Sequence, residues 1–442
     1  MTTTIFECNH CGHQLSKWQG QCPECGKWGS FEAGSPTAQK KTPSAPPGQV
    51  VAFGSIKPTD GIRLATGIHE LDRVLGGGLV RGSLVLLGGE PGIGKSTLVL
   101  QLIEKNQQPS LYVSGEESAE QIKTRIDRLG MTAGKTSFLG ETTIDTIVAT
   151  IIKEQPALAI IDSIQTMYDP NLPSGPGSAN QVRTCTVKLL EVAKSKNVTI
   201  LIVGHVTKGG EVAGPKTLEH LVDAVLYLEG DPQSGLRILR GVKNRFGSTD
   251  EVGIFEMRQT GLHEVANPSS LFLSQDHDRV AGSVIIPALE GSRVFLLELQ
   301  ALVSTTAFGY PQRKSYALDL NRVQLLIAVL TRRLGLKLGN QDVYLNVIGG
   351  IKATEPALDA AVAAAIISAD SNKIIPRETV IFGEIGLGGE VRPVRATDKR
   401  LQEAVRLGFT RAIVPAQAKI KAPAKMELVQ IKSVKELAER IK

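Results

Sequence analysis

Apolar and polar positions follow two different rhythms along this chain. From about residue 62 to residue 265, short apolar runs ("SLVLLGG", "SLYVSG", "LAIIDS", "TILIVGH", "DAVLYLEG") are separated by stretches of helical spacing such as "TLVLQLIEK". Strands that are apolar at nearly every position are buried on both faces, and strands separated by helices pair in parallel. The pattern predicts an α/β core, a largely parallel sheet with helices on both faces. After "HEVANPSSLFLSQ", where Asn-Pro marks a turn, the texture changes. Strand-like "SVIIPALEG", "RVFLLELQALV", "DVYLNVIGG" and "RAIVPA" now mix with helical "NRVQLLIAVLTRRLG", "ALDAAVAAAIIS" and "DKRLQEAVRLG", which reads as a separate α+β domain. The N-terminal segment has neither rhythm. It is short, rich in cysteine and glycine, and runs into "AGSPTAQKKTPSAPPGQ", a flexible linker by composition. These shifts set expected boundaries at 1–32, 33–56, 57–267 and 268–442.

Composition changes this picture only modestly. The 442 residues are 42% apolar and 21% charged, as expected of a globular chain. A formal net charge of +6 leans toward anionic partners but is spread thinly. Aromatics make up 4%, which weighs against base stacking as the main device for holding nucleic acid. No run approaches the roughly 20 apolar residues of a membrane span, and "MTTTIFECNH" lacks the pattern of a signal peptide. The expectation is a cytoplasmic protein with no membrane partner.

Four of the five cysteines lie within the first 25 residues. Without an export signal, metal ligation explains them better than disulfides. Cys8-x-x-Cys11 and Cys22-x-x-Cys25 are two knuckles, each presenting a pair of thiolates from a tight turn, and together they complete a tetrahedral zinc site. Such a site is closed, so its role is folding. His10 and His13 are surplus to it. Cys185, at helical spacing in "QVRTCTVKLLEVA", reads as an ordinary buried thiol.

"GGEPGIGKST" places Gly89, Glu90, Pro91, Gly92, Ile93, Gly94, Lys95, Ser96 and Thr97 between an apolar strand and a helix. This is the phosphate-binding loop in its required context. Its glycines turn backbone N–H groups toward phosphate oxygens, and the helix N-terminus adds a favourable dipole. Lys95 is expected on the β- and γ-phosphates of ATP, and Ser96 on Mg²⁺. Asp162 ends the strand "LAIIDS", where a carboxylate holds the Mg²⁺ water shell. Glu116, in "LYVSGEES", is the expected catalytic carboxylate that orients water, while Glu117, Ser118 and Glu120 are able to cap the next helix. His205, at the tip of "ILIVGH", either senses the γ-phosphate or bonds to backbone. The loops "VTKGGEVAGPKTLEH", with Lys208 and Lys216, and "MYDPNLPSGPGSANQVR" are long for a compact domain and expected to be functional. In "GVKNRFGSTDEVGIF", Lys243 and Arg245 lie two positions apart near the mouth of a predicted β-hairpin, a spacing that aims both charges from one face of a strand.

The zinc motif, "TGIHELDRVLGGGLVRGSLVLLGGEPGIGKST", "VSGEES", "IIDSIQT", "GHVTK" and "KNRFG" occur in this order. Along nearly its whole length the chain thereby resembles the RadA (Sms) family of bacterial DNA-repair proteins, RecA-like ATPases. The resemblance implies a RecA-type P-loop domain, ATP, Mg²⁺ and Zn²⁺ as cofactors, a homo-oligomeric, hexameric ring, and partnership with single-stranded and branched DNA and with the RecA recombinase. It implies an ATP-dependent translocase or helicase, stimulated by single-stranded DNA, that branch-migrates recombination intermediates. Lys243 and Arg245 then either reach a neighbouring subunit's γ-phosphate or bind the DNA backbone. Rival expectations are an ATP-regulated DNA-binding scaffold and a Lon-like ATP-dependent protease.

The last third is similar to the proteolytic domain of Lon, above all in "VIFGEIGLGGEVRPV". Lon chemistry needs a serine activated by a lysine. Set over the Lon motif, "IKATEPALDAAVAAA" places Ala357 at the nucleophile, with Leu358 and Asp359 following. No serine occurs from Asn340 to Ile367, and Asp398, next to Lys399, stands where the lysine is expected. The domain is expected to be inactive as a peptidase and to hold subunits together.

Overall fold

The computed structural model describes residues 5–10, 13–34, 52, 54, 63–132, 134–205, 218–230, 235–265, 267–269, 273, 280–307, 309–348, 353–416 and 420–441. Cys11, Lys208, Lys216 and nearly all of the expected linker lie outside them. The chain forms two compact units, Met1–Asp60 and Gly61–Lys442.

In the first unit the strands Ile5–Cys8, Gln14–Leu15 and Phe31–Gly34 make a small antiparallel sheet with Ile5–Cys8 in the middle. Its interior is little more than Cys8, Cys22 and Phe31. So small an apolar core cannot offset the entropy of ordering the segment, which is why the metal is needed.

The second unit is built on two sheets. The larger has nine strands, in the order Gly261–Glu264, Val252–Arg258, Leu236–Asn244, Ala224–Glu229, Leu84–Gly89, Thr199–Val203, Leu158–Asp162, Ser110–Ser114 and Thr136–Gly140. The six from Ala224–Glu229 onward are mutually parallel, and the first three add antiparallel strands at one edge. Every residue of Leu84–Gly89, Leu158–Asp162 and Thr199–Val203 is buried, as their unbroken apolar runs predict. After its helix the chain returns as Ser110–Ser114 on one side of Leu84–Gly89, while Ala224–Glu229 lies on the other side. The crevice at its carboxyl end is therefore the topological switch point, where ligands of open α/β sheets bind.

The smaller sheet has seven strands, Arg313–Tyr316, Gln341–Val347, Arg293–Thr305, Ser283–Glu290, Thr379–Ile381, Arg411–Pro415 and Glu427–Ile431. It is mixed, with the helices Leu320–Leu334, Asp359–Ser371, Thr397–Arg406 and Val434–Ile441 packed on it. The helix Asp359–Ser371 is buried nearly all round, because its alanines let neighbouring elements approach closely.

The two sheets share apolar packing. Val252 and Ile254 of the larger sheet belong to the same core as Val284, Phe295 and Leu330 of the smaller. Polar contacts reinforce this junction. Glu70, itself buried, accepts from the Arg293 guanidinium at 2.6 Å and from the Ile254 N–H at 2.8 Å. Arg240 pairs with Glu290, and the Ser292 N–H donates to the Asp250 carbonyl at 2.6 Å.

Candidate nucleotide site and metal ribbon

At the carboxyl end of Leu84–Gly89 the chain turns through residues 90–94 into the helix Lys95–Asn106. Gly89, Gly92 and Gly94 have φ of 156°, 76° and 116°. The values at Gly92 and Gly94 suit glycine almost alone. A side chain at Gly94 would strike the Met257 methyl, and one at Gly89 would meet the Leu228 carbonyl. The loop is thus an exposed backbone cradle on a buried strand. Lys95 is folded into it, donating to the carbonyls of Gly89 at 2.9 Å and Glu90 at 3.0 Å. Burial lowers its pKa to about 8, although Asp162 and Glu116 draw it upward. Ser96 and Thr97 follow in the first turn, half-buried.

The neighbouring strand ends bring the other groups in. Asp162 is buried and its carboxylate accepts from the Tyr112 hydroxyl at 2.6 Å. The peptide bond between Asp162 and Ser163 is cis. The Ser163 hydroxyl donates to Glu116 at 2.6 Å, and Glu116 lies 3.8 Å from the His205 ring. His205 is half-buried; desolvation lowers its pKa, and the Lys95 charge adds to this, so it is neutral at pH 7. Its Nδ1, and the side-chain oxygen of Gln165, are buried without a hydrogen-bond partner among the described residues. The Gln165 amide donates to the His205 carbonyl at 3.3 Å.

Glu116 and Glu117, adjacent in sequence, have different surroundings. Glu117 pairs with Arg125, and Ser118 caps the helix Ala119–Arg128 in a reciprocal box with Gln121. Glu116 is left pointing at Ser163 and His205. The loop after Asp162 is tightly held rather than open. The buried Gln181 side chain accepts from the Asp169 N–H and donates to the carbonyls of Asp169 and Ser174.

The hairpin is present, between Leu236–Asn244 and Val252–Arg258. Arg245 lies just past the strand in the turn, so the two cations are not a strand pair sharing one face. The Lys243 ammonium donates to the Glu219 carbonyl at 2.6 Å, and Arg245 meets the buried Asp223 carboxylate at 3.3 Å. Asp223 also accepts from Lys194 at 2.6 Å and from the Leu84 N–H at 3.0 Å. Arg245 therefore stands level with the start of Leu84–Gly89, and the P-loop follows its end. Five residues of strand, roughly 16 Å, separate them. At the other end of Leu236–Asn244, buried Arg237 donates to the Ile93 carbonyl of the P-loop at 2.9 Å.

Tyr112, Ser163, Gln165, Asp223 and Arg237 were not singled out by the sequence. Tyr112 sits next to Asp162 only because Ser110–Ser114 pairs in parallel with Leu158–Asp162, with Ser114 opposite Asp162. No local pattern carries that information.

In the ribbon, the sulfurs of Cys8, Cys22 and Cys25 lie within 4.8 Å of one another. The Cys22 carbonyl accepts from the Gly26 N–H at 2.9 Å, and Gly26 has φ of 71°, the tight knuckle expected. Three converging thiols on a minimal core fit Zn²⁺, and the chain's cofactors are ATP, Mg²⁺ and Zn²⁺.

In the Lon-like domain Ala357 is buried. Around it, Arg400, fully buried, pairs through two nitrogens with Glu355 and also reaches the carbonyls of Pro287 and Arg395. Arg322 pairs with Asp359, which also accepts from the Ile385 N–H at 3.0 Å.

Three family profiles match the chain: KaiC ATPase over residues 64–155, a rubredoxin metal binding domain over 6–33, and subunit ChlI of Mg-chelatase over 318–418. DNA repair protein RadA of Halalkalibacterium halodurans is 46% identical, over 99% of this chain and 98% of the relative. The protein of the same name from Bacillus subtilis is 45% identical, over 100% and 98%. Among solved structures, a KaiC-like protein of Pyrococcus horikoshii is 22% identical with a TM-score of 0.39, covering 46% of this chain and 98% of its own.

Proposed function

The chain belongs to the RadA family of DNA repair proteins and is an ATP-hydrolysing enzyme, and on that premise we propose that it is an ATP-driven motor on single-stranded and branched DNA. Its expected division at 1–32, 33–56, 57–267 and 268–442 gives a zinc ribbon, a linker, a motor and an inactive Lon-like domain that holds a ring of subunits, six by analogy. The RecA recombinase is the proposed partner and the cytoplasm the proposed compartment. Among the described residues, no helix is long and apolar enough to cross a membrane.

Mg²⁺ bound with ATP supplies charge neutralisation at the β- and γ-phosphates. The residues around that place have separate tasks. Lys95 exchanges its two loop carbonyls for phosphate oxygens. Ser96 would ligate the metal and Asp162 would hold its water shell, with Tyr112 fixing the Asp162 carboxylate. Glu116, oriented by Ser163, positions the attacking water. His205 offers its unpartnered Nδ1 to the state of the γ-phosphate. Lys243 and Arg245 act on the nucleotide of the neighbouring subunit, stabilising charge that develops during transfer.

The observation that carries this reading is the placement of Arg245. It lies at the opposite end of the sheet from its own P-loop, roughly 16 Å away along the strand, and is held there by Asp223. A cation so placed does not reach its own nucleotide. The test is a mixing experiment. Lys95→Ala and Arg245→Ala should each be inactive alone, yet regain single-stranded-DNA-stimulated hydrolysis when their subunits are combined. No recovery on mixing would move Arg245 to the DNA backbone, and failure to unwind a forked duplex would leave a regulated scaffold.

A further inference from the structure

The chain contains two tryptophans in 442 residues, and both are in the ribbon. Neither is used by its small core. Trp18 is 57% exposed and Trp28 76% exposed, an unusual fate for the most apolar-bodied side chains of a segment short of core. They stand side by side. A Cβ built on Gly20 would meet the six-membered ring of Trp28 at 3.5 Å and that of Trp18 at 3.9 Å. Gly20 thus leaves room for the two indoles to converge over bare backbone. The backbone there is fixed: Gln21 bridges to Trp28, and the Gly29 N–H donates to the Gly20 carbonyl at 2.7 Å.

A lysine precedes each ring, Lys17 in "SKWQG" and Lys27 in "GKWGS", and both are exposed. The segments just before and just after the second knuckle therefore display the same cation–aromatic dipeptide twice, on one patch. A single nucleic-acid strand repeats the complementary unit, a phosphate and a base. The ribbon is not basic as a whole. Glu7 and Glu32 stand opposite each other on paired strands, and Glu24 lies in the second knuckle. Attraction by net charge is therefore weak, and the contact depends on stacking.

We propose that the indoles of Trp18 and Trp28 form a stacking platform for two bases of single-stranded DNA, with Lys17 and Lys27 on the flanking phosphates. The proposal rests on the reading that this chain acts on DNA, and it places a second DNA contact outside the motor. It also gives the low aromatic content a different meaning: the few large rings are concentrated where they can stack.

Both tryptophans being in one patch makes the test direct. Indole emission from the full-length, zinc-loaded chain reports on the ribbon alone, while the anisotropy of labelled oligothymidine reports binding by any part. Titration should quench the indole emission in a saturable way that follows the anisotropy. Trp18→Ala or Trp28→Ala should each weaken binding about tenfold, with Trp→Phe variants retaining most of it. Bound zinc, measured in every variant, shows that the ribbon is still folded. Lys17→Gln with Lys27→Gln should lower the salt dependence by about 1.4 units of log–log slope. An anisotropy change with unaltered indole emission, and alanine variants that bind normally, would overturn the platform and leave the motor reading intact. No anisotropy change at all would overturn the DNA reading itself. Quenching by a proline-rich peptide but not by DNA would assign the patch to a protein partner and refute the proposal.

Discussion

The P-loop crevice and the Lon-like pocket, the place of Ala357 with Arg400, Glu355, Arg322 and Asp359 about it, are made of similar parts: a strand end, the start of a helix, and a few buried charges. They differ in how those charges are satisfied. In the crevice, Lys95 bonds two loop carbonyls that lie within the cradle itself. The Nδ1 of His205 and the side-chain oxygen of Gln165 are buried with no partner among the described residues. In the Lon-like pocket, Arg400 spends its donors on Glu355 and two carbonyls, and Asp359 is closed by Arg322 and the Ile385 N–H. Leaving buried polar groups unmatched costs stability, so a fold tolerates it where a ligand completes the set. A pocket whose charges complete one another is structural.

The largest effect expected from this contrast is at Lys95. Lys95→Ala should take ATP hydrolysis to background in a phosphate-release assay while leaving the melting temperature nearly unchanged; near-normal turnover would refute the site. Arg245→Ala should lower kcat by about a thousandfold and leave binding of a fluorescent nucleotide largely intact. A collapse in nucleotide affinity would place Arg245 in the binding site of its own subunit. In the Lon-like pocket the consequences reverse. Glu355→Ala strands the buried Arg400 guanidinium and should cost about 3–5 kcal/mol of stability, seen as a fall in the melting temperature. An unaltered melting curve would mean that this pair does not hold the domain.

A smaller effect follows from the titration of Lys95. In the free enzyme its pKa is lowered to about 8 by burial, whereas phosphate oxygens favour the charged form and raise it. Nucleotide affinity is then full below pH 8 and falls as pH rises through it, by up to about tenfold per pH unit. A flat KM for ATP from pH 7 to pH 9 would contradict this. The smallest effect is expected from Ala357→Ser, which should release no peptide from casein, because Asp398 stands where a lysine base would be needed. Proteolysis by that variant would show that the pocket kept more of a peptidase than its ion pairs suggest.

Much of the nucleotide site was legible along the chain. The glycine spacing before Lys95, the apolar run ending in Asp162 and the pair Glu116–Glu117 are local signals, because each needs only a strand, a turn and the next residue. The expectation at Glu116 rather than Glu117 came from the helix-cap signals that follow, but the partners that set the two apart were not legible. Arg125 takes one and Ser163 the other, and those partners come from a helix and from a neighbouring strand. The hairpin at Lys243 was legible too, but its direction was not. That the two cations stand at the far end of the sheet from their own P-loop depends on Leu236–Asn244 running antiparallel to Ala224–Glu229.

By itself, then, the order of residues determined the elements and their chemistry: the fully apolar strands of a parallel sheet, the glycine loop, the paired cysteine knuckles, and the loss of serine from the Lon-like motif. These depend on periodicity and on neighbours within a few positions, which a linear chain records directly. Tertiary structure decided which strands became neighbours. Through that it decided the hold of Tyr112 on Asp162, of Asp223 on Arg245, and of Arg400 on Glu355. It also set two indoles, ten positions apart, over one glycine. Each of these is a contact across a chain separation that no local rule spans, selected only when apolar burial brings whole sheets and turns together.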